Sequence, residues 1–218
     1  MDYFLKNKII FFRNLGLEDW LTTVNKMNTF TQLRDINTFD EIWFVEHYPI
    51  FTQGQLNRKD KIKFIHNIPI VNSNRGGRIT YHGPGQQILY FLINLKRRKI
   101  NIRQLVDMMQ EIVIEILNHF SLQAYVKKTS PGVYINKKKI CSLGLRVKKG
   151  CTLHGLALNV NMNLTPFDYI HPCGDENMKM TQIKDFNLYV KLEDIRLIFI
   201  KKLSKFLDAY IINHEYNS

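Results

Sequence analysis

The sequence predicts one α/β domain in which hairpins and helices are mixed instead of alternating as regular β-α-β units. Three observations predict it. The chain has 218 residues, 45% hydrophobic and 23% charged, enough for one substantial core, so residues 1–218 are read as a single domain. Two long segments repeat apolar residues at i, i+3, i+4 and i+7, the period of a helix buried on one face. Between them lie β-rich runs separated by two-residue turn signals.

The elements follow in order. The N-terminal "MDYFLKNKIIFFRN" has only a four-residue apolar core between lysine and arginine, which is not a signal peptide. No run of 18 apolar residues occurs, so a cytoplasmic protein with no membrane span is expected. Residues 17–34 have mixed helical character. Glu41 to Val45 reads as a short buried strand, and "EHYPIFTQGQ" as a loop breaking at Pro49 and Gly54. "IPIVNSN" is a second short strand. In "NIRQLVDMMQEIVIEILNHF", residues Ile102, Leu105, Val106, Met109, Ile112, Val113, Ile116, Leu117 and Phe120 form one apolar face, and Asn101 is the expected N-cap. "GVYINKKKICSLGLRV" and "CTLHGLALNVNM" are strands turning at Asn136-Lys137 and Lys149-Gly150. "LEDIRLIFIKKLSKFLDAY" is a closing helix with Leu192, Ile195, Phe199, Leu203, Phe206 and Tyr210 on its buried side.

The net charge is +12. A basic surface suits nucleic acid or an acidic protein partner. The abundance of Lys, Asn, Ile, Phe and Tyr also fits the bias of an AT-rich genome. Three cysteines, an odd number without a secretion signal, argue against a disulfide framework. No CxxC or HxxxH spacing suggests zinc.

Three stretches carry chemistry. In "NRGGRITYHGPGQQILYFLINL", adjacent Gly76 and Gly77 allow a left-handed backbone or a close approach. The flanking Arg75 and Arg78 suit an anionic or carbonyl-bearing guest. A surface turn fits the glycines as well, and His82 reads either as a hydrogen-bonded structural residue or as a catalyst. In Lys139-Ile140-Cys141-Ser142-Leu143-Gly144, strand alternation puts Lys139, Cys141 and Leu143 on one face and Ile140 and Ser142 on the other. Of Lys137, Lys138 and Lys139, the last lies nearest the apolar strand and is expected to point inward. In "HGLALNVNMNLTPFDYIHPCG", Gly155 interrupts a strand, which suggests a bulge or close ligand approach. Cys173, between Pro172 and Gly174, is better placed for attack than Cys141 or Cys151 inside apolar strands.

Together these stretches resemble the octanoyltransferase family of lipoate biosynthesis, from about Asp40 to Thr181. "EHYPIFTQG" is similar to that family's EHxPxxTxG, "RGGRITYHGPGQQILY" to its RGGxxTYHGPGQxxxY, and "KKICSLGLRVKKGCTLHGLALNVNMNL" to its KIASxGxRxxxxxxxHGxAlNvxxDL. "IHPCG" matches its IxPCG. Cys141 stands where the family has alanine and Asn163 where it has aspartate.

The resemblance implies the catalytic-domain fold of biotin and lipoate protein ligases, a mixed sheet flanked by helices. It implies transfer of octanoyl from the phosphopantetheine thioester of acyl carrier protein to a lysine of a lipoyl domain. The acceptors would be those of 2-oxoacid dehydrogenases and the glycine cleavage H protein. Cys173 would be the nucleophile and Lys139 its activator, with His82 or His154 the next candidates. An acyl tunnel would be walled by Arg75, Gly76, Gly77, Arg78, Ile79, Thr80, Tyr81, His82, Ser142, Leu143, Gly144, Gly155, Leu156 and Ala157. Burying the octanoyl tail is worth on the order of 5 kcal/mol, at roughly 0.8 per methylene. No cofactor is expected: no ATP, because the thioester is already activated, and no metal. A monomer without nucleic-acid or membrane partners is expected.

Two rivals remain. An ATP-dependent lipoate or biotin ligase would share the fold but need no cysteine, and in lipoate ligases an acidic residue tends to stand where Gly83 follows His82. A basic nucleic-acid-binding module would need clustered cations interleaved with aromatics, whereas the lysines here are scattered.

Overall fold

The computed structural model describes residues 8–56, 63–127, 130–172 and 178–214. An eight-stranded mixed sheet forms the backbone of the molecule. In chain order its strands are β1 (Ile9–Glu18), β2 (Asp40–His47), β7 (Gln86–Leu92), β8 (Tyr125–Val126), β9 (Val133–Ile135), β10 (Lys138–Lys148), β11 (Cys151–Asn159) and β12 (Tyr210–Asn213). Their spatial order is β12-β1-β2-β7-β11-β10-β9-β8. The β1 pairings with β12 and β2 are parallel, and every other pair is antiparallel. A smaller sheet has the order β4-β5-β3-β6, from β3 (Ile50–Gln53), β4 (Phe64–Ile65), β5 (Ile68–Asn72) and β6 (Ile79–His82).

Among the described residues four α-helices pack on the sheets: α1 (Trp20–Leu33), a single turn α2 (Leu95–Arg98), α3 (Ile102–His119) and α4 (Leu192–Phe206). The expected cap of α3 is present as a full capping box: Asn101 Oδ1 accepts from Gln104 N, and Gln104 Oε1 accepts from Asn101 N. Leu105, Met109, Ile112, Val113, Ile116 and Leu117 of α3 join Ile195, Phe199 and Leu203 of α4 in the main core. They lie against Phe44, Leu89, Phe91, Leu156 and Leu158 of the large sheet. Each such fully buried side chain contributes about 1.5–3 kcal/mol of transfer free energy. The opposite face of the sheet carries a second cluster, with Trp20, Val24 and Met27 of α1 on Trp43, Val45, Ile88, Tyr90, Leu153 and Ala157.

Both hairpin turns fall where the sequence puts them. Asn136 and Lys137 have φ of 47° and 68°, and Lys149 and Gly150 have φ of 52° and 73°. Two successive left-handed residues match the twist of the flanking strands. Three expectations need correction. Tyr210 is not helical: the chain leaves α4 at Phe206, turns through Asp208 at φ 46°, and places Tyr210 in β12. Ile50–Gln53 is a strand, not a loop, because β5 and β6 pair it on both sides. Ile102, expected on the buried face of α3, is exposed in its first turn, and the N-terminal apolar run, which the sequence pattern alone does not assign, is strand β1. Among the described residues no helix is long and apolar enough to cross a membrane.

Candidate functional site

The glycine-rich segment after β5 lies across the second face of the large sheet. Gly76 N donates to Leu145 O at 3.0 Å. A Cβ on Gly144 would meet Gly76 O at 3.2 Å, and one on Gly54 would meet Gly77 O at 2.2 Å. The segment is thus wedged between the end of β3 and the middle of β10, where only glycines let the backbones approach. Arg75 does not wait for an anion. Its Nη1 donates to Gly76 O (2.9 Å) and its Nη2 to Thr52 O (2.7 Å) and Arg78 O (2.9 Å), so it ties carbonyls of its own loop to one of β3. Arg78 is exposed.

The register of the β10–β11 hairpin sorts the other proposed wall residues. Ser142 pairs with Ala157, Leu143 with Leu156, and Gly144 with Gly155. Directly opposed residues share a face. Leu143 and Leu156 pack with the α3–α4 core, and Ala157 belongs to the opposite cluster. Ser142, Gly144, Gly155 and Ala157 therefore form a stripe of small side chains beneath the glycine-rich segment, and Leu143 and Leu156 lie behind the sheet. Gly155 marks no bulge: the β10–β11 register is unbroken, and a Cβ there would meet Leu89 O of neighbouring β7 at 2.0 Å. The small sheet divides β6 in the same way. Ile79 and Tyr81 pack with Phe51 and Phe167 in a third cluster, and His82 turns to Thr52.

Strand alternation through Lys139 fails for a local reason. The β9–β10 register slips by one between Lys139 and Cys141, a β-bulge that breaks the alternation of faces. Ile140 and Cys141 both enter the α3–α4 core. Lys137 and Lys138 are exposed, and Lys139 is 1% exposed. The Lys139 ammonium donates to Pro131 O at 2.8 Å and sits 5.6 Å from the centre of the Tyr134 ring. Tyr134 OH in turn donates to Ser130 O and lies 2.8 Å from Ser130 Oγ. Sequence reading missed this cradle of Ser130, Pro131 and Gly132.

Cys173 and Gly174 lie outside the described residues. The chain on either side is anchored. Ile170 packs in the third cluster. Beyond the segment, Lys139 N donates to Lys179 O (2.8 Å), and Thr181 N donates to Lys139 O (3.0 Å). Residues 179–181 thus run beside the backbone of Lys139 itself. Of the other two cysteines, Cys141 is fully buried and burial pushes its thiol up to about 12. Burial also raises the thiol of Cys151.

A buried hydrogen-bond chain joins the glycine-rich segment to the Lys139 tether. Arg75 Nη2 lies 2.9 Å from Thr52 Oγ1, which lies 3.2 Å from His82 Nε2. His82 Nδ1 lies 2.8 Å from Gln86 Oε1, Gln86 Nε2 donates to Asn159 Oδ1 at 2.9 Å, and Asn159 Nδ2 donates to Thr181 O at 3.0 Å. Gln86 Oε1 makes His82 Nδ1 the donor, and in the neutral ring Nε2 then accepts from Thr52 Oγ1. Burial, with His47 nearby, holds the His82 pKa down to about 3. His154, which contacts Asn74 Oδ1 at 2.5 Å, is likewise held at about 3, chiefly by burial. Burial thus favours the neutral form of both rings. Thr52, Gln86 and Asn159 were not singled out in the sequence, and only their buried amide and hydroxyl groups amid apolar strands could have marked them.

A family model described as the lipoyl protein ligase A/B catalytic domain matches residues 11–204. A protein named octanoyltransferase from Buchnera aphidicola subsp. Acyrthosiphon pisum is 72% identical over 96% of this chain and 99% of its own length. One of the same name from Photorhabdus laumondii is 46% identical over 93% of this chain and 95% of its own length. Among solved structures, lipoate-protein ligase A bound with ATP superposes with a TM-score of 0.75 at 16% identity, covering 94% of this chain and 87% of that one. Biotin protein ligase from Aquifex aeolicus, in complex with biotin and ATP, gives 0.57 at 16% identity, covering 92% and 70%. At such identities these two likenesses concern the fold.

Proposed function

Since this chain belongs to the lipoyl protein ligase A/B catalytic-domain family, among its octanoyltransferases, we propose that it transfers octanoyl through a thioester on Cys173 that Lys139 helps to form and discharge. It is an acyltransferase of protein lipoylation, with acyl carrier protein as donor and lipoyl domains as acceptors in general terms. The finer reading assigns lipoyl domains of 2-oxoacid dehydrogenases and the glycine cleavage H protein as acceptors.

In the first step the Cys173 thiolate attacks the carbonyl of the octanoyl thioester. The C–S bond to the phosphopantetheine arm breaks, and its thiol leaves with a proton. In the second step the ε-amine of the acceptor lysine attacks the acyl-enzyme, the amide C–N bond forms, and Cys173 leaves as thiolate. One thioester and one amine become one amide and one thiol, so neither ATP nor a metal enters the balance. An ammonium near the thiol favours the thiolate, and a lysine amine is a competent acceptor for the proton that the attacking amine must lose.

The observation that carries this reading is the burial of Lys139, its backbone N–H and C=O both bonded to residues 179–181, which follow the Pro-Cys-Gly motif. The burial of the other two thiols supports it by elimination. The small-residue stripe under the glycine-rich segment supports the acyl site. The test is intact mass after incubation with octanoyl-acyl carrier protein and no nucleotide. One octanoyl adduct is expected, mapping to Cys173 and discharged by an apo lipoyl domain. An adduct that forms only with ATP would instead favour the ligase reading.

A further inference from the structure

The charge of this chain is segregated. Of its nineteen carboxylates none falls in residues 61–106 or 116–167, and these two stretches hold seventeen of the thirty-one cations. A genome-wide bias toward lysine does not remove Asp and Glu from the same stretches that build the site. The structure gathers several of these cations on one surface. On β10 the register from Cys141 to Lys148 is unbroken, so Arg146 and Lys148 lie on the same face as Ser142 and Gly144, farther along the strand. Arg146 Nη1 donates to Gln55 Oε1 at 3.2 Å, and Gln55 N donates to Arg75 O. At the hairpin end Leu95 N donates to Gly150 O at 3.0 Å, which sets α2 beside the turn. Arg78, Arg146, Lys148, Lys149, Lys96 and Lys99 are all exposed there.

We infer that this surface docks the acidic face of the protein that delivers the acyl group, an inference that rests on the transferase reading above. The charge requires an anionic partner. Among the described residues no aromatic side chain is exposed on the glycine-rich segment, α2 or the β10–β11 hairpin, so the surface lacks the stacking platform that single-stranded nucleic acid uses. Reach selects the donor over the acceptor. Arg146 lies seven residues along β10 from Lys139, roughly 23 Å at strand rise. A lysine side chain is far too short for that gap, so the acceptor must dock beside Lys139. A donor presenting its thioester on a long phosphopantetheine arm can dock at the cationic end and thread the acyl group along the small-residue stripe.

The test compares the Lys96→Glu/Lys148→Glu double variant with a Lys201→Glu/Lys205→Glu control, which makes the same charge change on exposed positions of α4. Each is assayed with octanoyl-acyl carrier protein and with octanoyl-pantetheine, an uncharged donor lacking the protein. The first variant is expected to raise KM for the carrier-bound donor about tenfold at low salt with kcat unchanged. It should leave octanoyl-pantetheine unaffected and flatten the salt dependence of KM, and the control should behave as wild type. A KM for the carrier equal to that of wild type or of the control overturns the docking surface. So does loss of oligonucleotide binding with that KM unchanged, which would assign the surface to nucleic acid. If the wild type transfers octanoyl from neither donor, the transferase reading fails, and this one with it.

Discussion

A Cβ built on Gly132 would stand 2.3 Å from Cε of Lys139 and 3.0 Å from its Nζ. Gly132 also has φ of 150°, a conformation that L side chains rarely adopt. The aim of the buried lysine is therefore set by the absence of a side chain seven residues earlier, just before the strand opposite. Gly132→Ala should displace the ammonium from Pro131 O and cut transfer at least as severely as Lys139→Ala. The strained backbone should cost about 1–3 kcal/mol of stability. Steady-state transfer and urea unfolding on the same preparation check both; wild-type turnover would show that the lysine's position is unimportant.

The three thiols should separate by reactivity. Iodoacetamide at neutral pH should label Cys173 in the native protein and spare Cys141, whose buried thiol is pushed up to about 12, and Cys151. Peptide mapping before and after denaturation reads this directly. Cys173→Ser should abolish both half-reactions, and Cys141→Ala and Cys151→Ala should keep most of the activity.

Lys139 differs from its neighbours in burial, so its variants should differ in kind. Lys139→Ala should raise the pH at which Cys173 alkylates. Lys137→Ala and Lys138→Ala, at exposed positions, should not. Lys139→Arg should restore part of the thiolate but remain poor in transfer, because a guanidinium does not give up its proton at working pH. An unchanged alkylation profile in the Lys139 variants would count against its role as activator.

The buried imidazoles make stability depend on pH. Their folded pKa values, about 3 for His82 and His154, lie below the unfolded value near 6.5. Between those limits the unfolded chain binds more protons, so stability rises with pH and is lost as pH falls from about 6.5 toward 3. The slope is up to about 1.4 kcal/mol per pH unit for each ring. His154 has φ of 63°, which Asn tolerates, so His154→Asn should flatten the pH dependence of the urea midpoint between pH 6.5 and 5. A slope equal to that of wild type would mean the ring is protonated in the folded protein.

The two loop glycines should respond differently. Gly77 has φ of 84°, and a Cβ on Gly76 would make only an ordinary 3.5 Å contact with Leu145 O. Gly76→Ala should be well tolerated; Gly77→Ala should cost about 1–2 kcal/mol. Gly76→Val, which adds bulk facing the sheet, should impair octanoyl transfer more than transfer of shorter chains. Equal losses across chain lengths would leave the glycines a purely backbone role.

Local patterns were legible in the residues. The N-cap at Asn101, the buried face of α3 from Leu105 onward and the two hairpin turns each depend on neighbours within a few positions, and each appears where the spacing puts it. The same holds for Lys139, the cation nearest the apolar strand. The four ordered motifs identified the family because they are strings, whatever their contacts.

Tertiary structure decided what depends on distant partners. The bulge after Lys139 arises from how β9 meets β10, so strict alternation wrongly separated Ile140 from the face of Cys141 and Leu143. Which wall residues share a face followed from the Ser142–Ala157 and Gly144–Gly155 pairings. The reason for Gly155 lies in Leu89 O, on another strand. The chain from Arg75 through Thr52, His82, Gln86 and Asn159 to Thr181 crosses separations of up to 73 residues in a single bond. A one-dimensional pattern records helical and strand periods because those are local geometry. Buried polar partners are chosen by which groups are left without water when sheets and loops close together, and only the folded chain brings those groups within reach.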